Sequence, residues 1–169
     1  PSGTVWTMAE MELLAQTVRY TSVLLISDEV YEHMVFDGQS HASVACHPEL
    51  VQRAVLISSF GKTYHVTGWK VGYTAAPAAL MAEFRKVHQF NVFTVNTPMQ
   101  HGIAAYMADT THHSGLASFY QQKRDLFRAG LAGSRMKLLP CEGTYFQCVD
   151  VSAVTDLTEA AFCEWLVHE

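Results

Sequence analysis

The chain has 169 residues, a net charge of −5 and a 49% share of hydrophobic residues. That length holds one domain with a sizeable core, and the mild acidity excludes the basic footprint of a nucleic-acid binder. No apolar run approaches a membrane span, and the first residues lack a basic segment followed by an apolar one, so neither a spanning helix nor a secretory leader is expected.

Pro1-Ser2-Gly3-Thr4 opens the chain inside a turn. Thr7 followed by Glu10 has the form of a capping box, and Met11, Leu14, Ala15 and Val18 continue at helical spacing, which predicts an amphipathic helix over residues 8–20. The apolar run that starts at Val23 predicts a buried strand over 23–28, ending in the carboxylate of Asp28. Residues 32–47, with Gly38 and scattered polar groups, read as a loop over the strand ends, and 48–51 as a short helical turn. Ala54-Val55-Leu56-Ile57 predicts a second buried strand over 54–58, and 71–75 a third.

A helix is predicted over 78–90, with Leu80, Met81, Phe84, Val87 and His88 on one side. The segment 93–98 breaks it, and Thr97 as N-cap with Pro98 at the first helical position starts the next helix, which ends near Ala108. Residues 114–135 carry a long helical pattern with Ser114 as candidate cap and Gly133-Ser134 as the stop. Strands near 137–139 and 144–150 and a helix from about 158 follow. Helices alternating with strands predict an α/β fold with a mostly parallel sheet between helical layers, a three-layer αβα arrangement.

Two residues on the predicted strand ends carry chemistry. Lys62 follows the second strand, and a lysine there either reaches solvent or serves as an amine nucleophile, its pKa lowered by partial burial. Asp28 ends the first strand, where an ionised carboxylate either caps the next turn or meets a cation. Ligands of open α/β sheets bind outside these carboxyl ends. Gly61-Lys62-Thr63 matches the tail of a nucleotide-binding phosphate loop, but the glycine required five residues before Gly61 is replaced by Leu56. The nine histidines are scattered without ligand spacing, so no metal site is expected, and His65 reads as a loop residue. Trp69 and Tyr73 read as packing residues. Cys46, Cys141, Cys148 and Cys163 form no zinc-like pair, which predicts reduced thiols in a cytoplasmic protein.

Asp28-x-x-Tyr31, then Ser59-x-x-Lys62, then Gly68-Trp69-Lys70-x-Gly72 together resemble the fold-type I, class I/II aminotransferases that use pyridoxal 5'-phosphate, most closely their methionine and kynurenine branch. The resemblance runs from Pro1 to Glu169 and implies roles residue by residue. Lys62 would be catalytic, bonding to the cofactor aldehyde and moving the substrate proton; Asp28 would pair with the pyridinium nitrogen; Tyr31 would donate to the ring's phenolic oxygen. Ser59 and Lys70 would hold the phosphate, Lys70 at a position where many family members carry arginine, so the clamp is less strict geometrically. The third strand would be the antiparallel one, which nothing in its composition shows.

The resemblance also implies a division into 1–113 as part of the large cofactor-binding domain, 114–135 as the interdomain helix and 136–169 as the start of a small α+β domain. It implies a homodimer acting on an amino acid (methionine, aromatic or kynurenine-like) and a 2-oxo acid, with Val95 and Asn96 facing the partner's site. The family's chains are much longer. Its ring-contacting Asn would precede Pro1, and its substrate-carboxylate Arg would lie beyond Glu169, so the sequence reads as an internal fragment expected to have little activity alone. A carbon–sulfur lyase on the same scaffold, and a silent fragment or association module, are the alternative readings. Cys141-Glu142-Gly143-Thr144-Tyr145-Phe146 resembles the family's glycine-bearing turn into the small domain and is assigned no chemistry.

Overall fold

The computed structural model describes residues 2–168; Pro1 of the expected opening turn and Glu169, the expected end of the small-domain segment, lie outside them. Helix α1 spans Met8–Val18. Thr7 Oγ1 accepts the Glu10 N–H at 3.2 Å, and the Glu10 carboxylate accepts the Thr7 N–H at 2.7 Å. Two donors that a helix start leaves orphaned are thereby satisfied. The helix stops short of residue 20 because the backbone N–H and hydroxyl of Thr21 both turn back to the Val18 carbonyl, at 3.1 and 2.8 Å. Its buried face, Met11, Ala15 and Val18, forms one core with Ala42, Val44, Leu50 and Ala54.

Strands β1 (Leu25–Asp28), β2 (Ala54–Ser59) and β3 (Gly72–Ala75) form a sheet in that order. β1 starts later than predicted because the chain before it is held by Arg53, whose Nη1 donates to the carbonyls of Val18, Thr21 and Val23. β1 and β2 are parallel with Asp28 beside Ile57, and β2 and β3 are antiparallel with Ser59 beside Gly72. The antiparallel third strand agrees with the resemblance. A Cβ on Gly72 would lie 2.6 Å from the Ser58 carbonyl oxygen, so only glycine lets β3 close on β2 here.

Helix α2 (Phe60–Thr63) begins where β2 ends, and α3 (Ala78–Asn91) and α4 (Thr97–Met107) follow β3. The cap of α4 is Asn96 and not Thr97: Asn96 Oδ1 accepts the Met99 N–H at 3.1 Å, and Thr97 is already helical. Ser114 is likewise not a cap. It ends a separate short helix α5 (Thr111–Ser114), donating to the Thr111 carbonyl at 3.1 Å, and the long helix α6 spans Leu116–Gly130. Strands β4 (Lys137–Leu138) and β5 (Val149–Asp150) pair antiparallel, and α7 (Glu159–His168) closes the chain. Among the described residues no helix is long and apolar enough to cross a membrane.

Candidate active site

The carboxyl ends of β1 and β2 carry the two residues singled out above. Asp28 is exposed at the end of β1, where its Oδ1 accepts the Val30 N–H at 3.2 Å; the other oxygen keeps its acceptor capacity. Strand alternation sends the next side chain the other way, and Glu29 is only 4% exposed. Its carboxylate accepts the Ser27 hydroxyl at 2.9 Å and the Val44 N–H at 3.0 Å, and pairs with His41 Nε2 at 2.8 Å. Burial pushes the Glu29 carboxyl up, but hydrogen bonds from His41, Ser43, Val44 and Ser27 outweigh it and hold the pKa below the ordinary value. The buried acid thus ties the residue after Asp28 to the loop that crosses the strand ends.

Glu32 ties the same segment to the far side of the sheet. Its Oε1 accepts the Ser58 hydroxyl at 3.1 Å and the Tyr73 hydroxyl at 3.2 Å. Between these two anchors stands Tyr31. Burial pushes its phenol well above the ordinary value, and donation to Tyr145 adds to the effect.

Lys62 lies in α2. Ser59 is the N-cap of that helix: its Oγ accepts the Gly61 N–H at 3.1 Å and lies 3.3 Å from the Val71 carbonyl, to which it donates. Ser59 therefore fixes the loop that carries both Lys62 and Lys70. Lys70 sits in the left-handed region at φ 56°, exposed, and joins the loop through its backbone N–H to the Thr67 carbonyl at 3.4 Å. The structure brings Lys62 and Tyr31 together through a residue that sequence reasoning passed over. The Lys62 amine lies 5.6 Å from the centre of the Tyr145 ring, and the Tyr31 and Tyr145 rings meet edge to face at 5.3 Å. The Lys62 amine first, and then the neighbouring Tyr31 hydroxyl, hold the Tyr145 phenol below its ordinary pKa. Asp28 acts on the Tyr31 phenol electrostatically, so it is linked to the same group. The Ser59 side chain stays with its own loop, and the Lys70 side chain forms no hydrogen bond to the other four.

The turn that delivers Tyr145 is tightly built. Val35 bridges Gly143, and a Cβ on Gly143 would lie 2.7 Å from the Met34 carbonyl oxygen, so this close approach requires glycine. Thr144 follows at φ 69°, a costly conformation for a β-branched residue. Arg124 of α6 locks the turn from outside. It donates to the Cys141 carbonyl at 2.8 Å and to both carboxylate oxygens of Asp37 at 2.6 and 2.8 Å. A groove of about 430 Å³ has Trp6, Ser27, Asp28, Tyr31 and Thr144 among its lining residues; Ser59, Lys62, Lys70 and Tyr145 do not line it. Among the described residues no three His, Cys, Asp or Glu side chains converge as a metal site would require. No local signal marked Tyr145, because its partners are set by the return of the chain across the strand ends. The glycine turn before it was the only hint.

The model of the aminotransferase class I and II family matches residues 1–169. A methionine aminotransferase of Escherichia coli is 54% identical over 170 residues, covering 100% of this chain and 44% of that protein. A kynurenine–oxoglutarate transaminase of Dictyostelium discoideum is 35% identical, covering 91% of this chain and 37% of that protein. The solved structure of an Escherichia coli methionine aminotransferase superposes with a TM-score of 0.96 at 54% identity, over 100% of this chain and 45% of that one. The chain thus spans less than half the length of the relatives it matches. It has the fold of these aminotransferases, the architecture expected from its motifs, and it belongs to the class I and II aminotransferase family.

Proposed function

We propose that the protein carrying this chain is a pyridoxal-phosphate-dependent aminotransferase that moves an amino group from methionine, an aromatic amino acid or kynurenine to a 2-oxo acid. The observation that carries the reading is the gathering of one amine, Lys62, with the phenols of Tyr31 and Tyr145, beside a strand end that presents Asp28. The 54% identity to a methionine aminotransferase supports the choice of donor.

The donor set fits the cofactor. Asp28 offers an exposed carboxylate with acceptor capacity to spare, which suits a protonated ring nitrogen. Tyr31, with its phenol kept protonated by burial, suits donation to a ring oxygen. Ser59 and Lys70, on one loop held at Val71, offer a hydroxyl and a cation for the phosphate. Pyridoxal phosphate, when bound, supplies the carbonyl that exchanges the amino group and the ring that accepts electron density from the substrate Cα. Lys62 Nζ would be the point of covalent attachment and would carry the proton to and from that carbon. The Asp28 carboxylate would keep the ring nitrogen protonated and Tyr31 would orient the ring through its hydroxyl, while Glu29 and Glu32 tie the segment that carries Asp28 and Tyr31 to Val44 and Ser58.

The reading includes a division into large domain (1–113), interdomain helix (114–135) and small domain (136–169). It also includes a homodimer in the cytoplasm. Exposed apolar side chains at Val87, Phe90 and Phe93 support an interface. The test is amino-group exchange by the intact protein: methionine or an aromatic amino acid with a 2-oxo acid should yield the partner oxo acid and amino acid without net ammonia. Release of ammonia with pyruvate from a sulfur-containing donor would instead make it a carbon–sulfur lyase.

A further inference from the structure

We infer that Thr67 is a positioning residue of this site, which holds the Lys62 turn and the Lys70 loop in a fixed relation so that both lysines engage one ligand at once. This role rests on the aminotransferase reading, in which Lys62 takes the aldehyde of pyridoxal phosphate and Lys70 its phosphate. The Thr67 hydroxyl donates to the Gly61 carbonyl at 3.0 Å. That carbonyl belongs to the peptide unit that ends at the Lys62 Cα. A peptide unit is planar, so holding its oxygen restricts the direction in which the Lys62 side chain leaves the backbone. The carbonyl of the same Thr67 accepts the Lys70 N–H at 3.4 Å. One residue thus holds the backbone on both sides of the expected ligand.

The shortness of α2 explains why an outside donor is used. The helix is a single turn, and the last carbonyls of any helix lack intrahelical donors. The Tyr64 N–H still reaches the Phe60 carbonyl at 2.9 Å, but His65 enters the left-handed region at φ 57° and turns the chain out of the helix. Thr67, two residues on, brings its hydroxyl back to the Gly61 carbonyl. The approach requires glycine, because a Cβ on Gly61 would lie 2.9 Å from the Thr67 Cα. Packing does not account for Thr67, which is exposed. The Ser59 hydroxyl does not replace it, being engaged with the Gly61 N–H at 3.1 Å and the Val71 carbonyl at 3.3 Å.

The test uses the intact protein stripped of cofactor. Pyridoxal phosphate, and pyridoxal, which lacks the phosphate, are titrated separately and read by their protein-bound absorbance. The ratio of the two affinities measures how well the aldehyde and phosphate ends are gripped together. Thr67→Val removes the hydroxyl and should lower that ratio about fivefold, the worth of one ordinary hydrogen bond, and Thr67→Ser should restore it. A general loosening of the fold would weaken both ligands alike and leave the ratio unchanged. In the cofactor-free protein, Thr67→Val should also speed hydrogen exchange at the Tyr64 amide, which closes α2. A ratio unchanged in Thr67→Val, or lowered equally in Thr67→Ser, overturns the role of Thr67. Failure of the unmodified protein to take up pyridoxal phosphate overturns the proposed function; the Tyr64 exchange then judges the Thr67 contact by itself, and exchange unaltered in Thr67→Val overturns it.

Discussion

Replacing Glu29 by alanine should be among the most damaging single changes near the strand ends. The carboxylate is 4% exposed and satisfies three groups: the Ser27 hydroxyl, the Val44 N–H and the His41 ring. His41 retains partial access to solvent and can hydrate, with a side-chain exposure of 25%. The Val44 N–H cannot, since that residue is buried, and an orphaned buried donor costs about 1–3 kcal/mol. With the Ser27 hydroxyl and the lost packing added, the total comes to about 3–5 kcal/mol, the range for removing one member of a buried pair. Glu29→Gln keeps the shape and one acceptor oxygen and should cost about 1–2 kcal/mol. Urea unfolding of the intact protein at neutral pH measures both, with the slope unchanged and the midpoint lowered. The folded-state pKa of Glu29 lies below the unfolded 4.5, so its contribution is complete above pH 4.5 and is lost as pH falls through the folded value. The gap between unmodified protein and Glu29→Gln should therefore close in acid. A Glu29→Ala cost under about 0.5 kcal/mol, or a gap that widens in acid, would refute the argument.

Two further outcomes follow from the same geometry. Arg124→Lys keeps the charge but loses the two-pronged contact with Asp37, and with its side chain only 11% exposed it should lower stability by about 1–3 kcal/mol in denaturant titration, whereas a peripheral role would leave stability unchanged. Asp28→Ala should leave covalent capture of pyridoxal phosphate intact, read from absorbance, while lowering turnover of the intact protein by at least about a hundredfold; normal turnover would remove Asp28 from its assigned role.

What the sequence shows well is what is local. The Thr7–Glu10 box and the helical spacing of Met11, Ala15 and Val18 involve contacts within two turns, and the structure contains them. The apolar runs before Asp28 and Ser59 mark strands by their aliphatic and β-branched residues, so Asp28 and Lys62 were placed at strand ends from pattern alone. The expected full burial is not met: β1 alternates half-buried and exposed, with Ile26 76% exposed, and of β2 only Ala54 and Ser58 are buried. The direction of β3 was not legible from its residues. Gly72–Ala75 is four residues long and mostly exposed, and nothing in such a segment records which way it runs. Adjacent cap-competent residues also defeat pattern reading: Asn96 and Thr97 both qualify, and the reach of Asn96 Oδ1 to Met99 decides between them. The Glu29–His41 pair and the Lys62–Tyr145–Tyr31 group were invisible for a different reason. The first joins two points of the single connection between β1 and β2, and the second joins that connection and α2 to the turn at Gly143, so neither meeting is marked by local spacing.

The central claim is that the Lys62 amine is the covalent anchor for the cofactor. Pyridoxal phosphate added to the cofactor-free intact protein should develop the visible absorbance of a lysine-bound cofactor, and Lys62→Ala should abolish it while leaving the fold unchanged by circular dichroism. The same absorbance persisting in Lys62→Ala would place the anchor elsewhere and contradict the account.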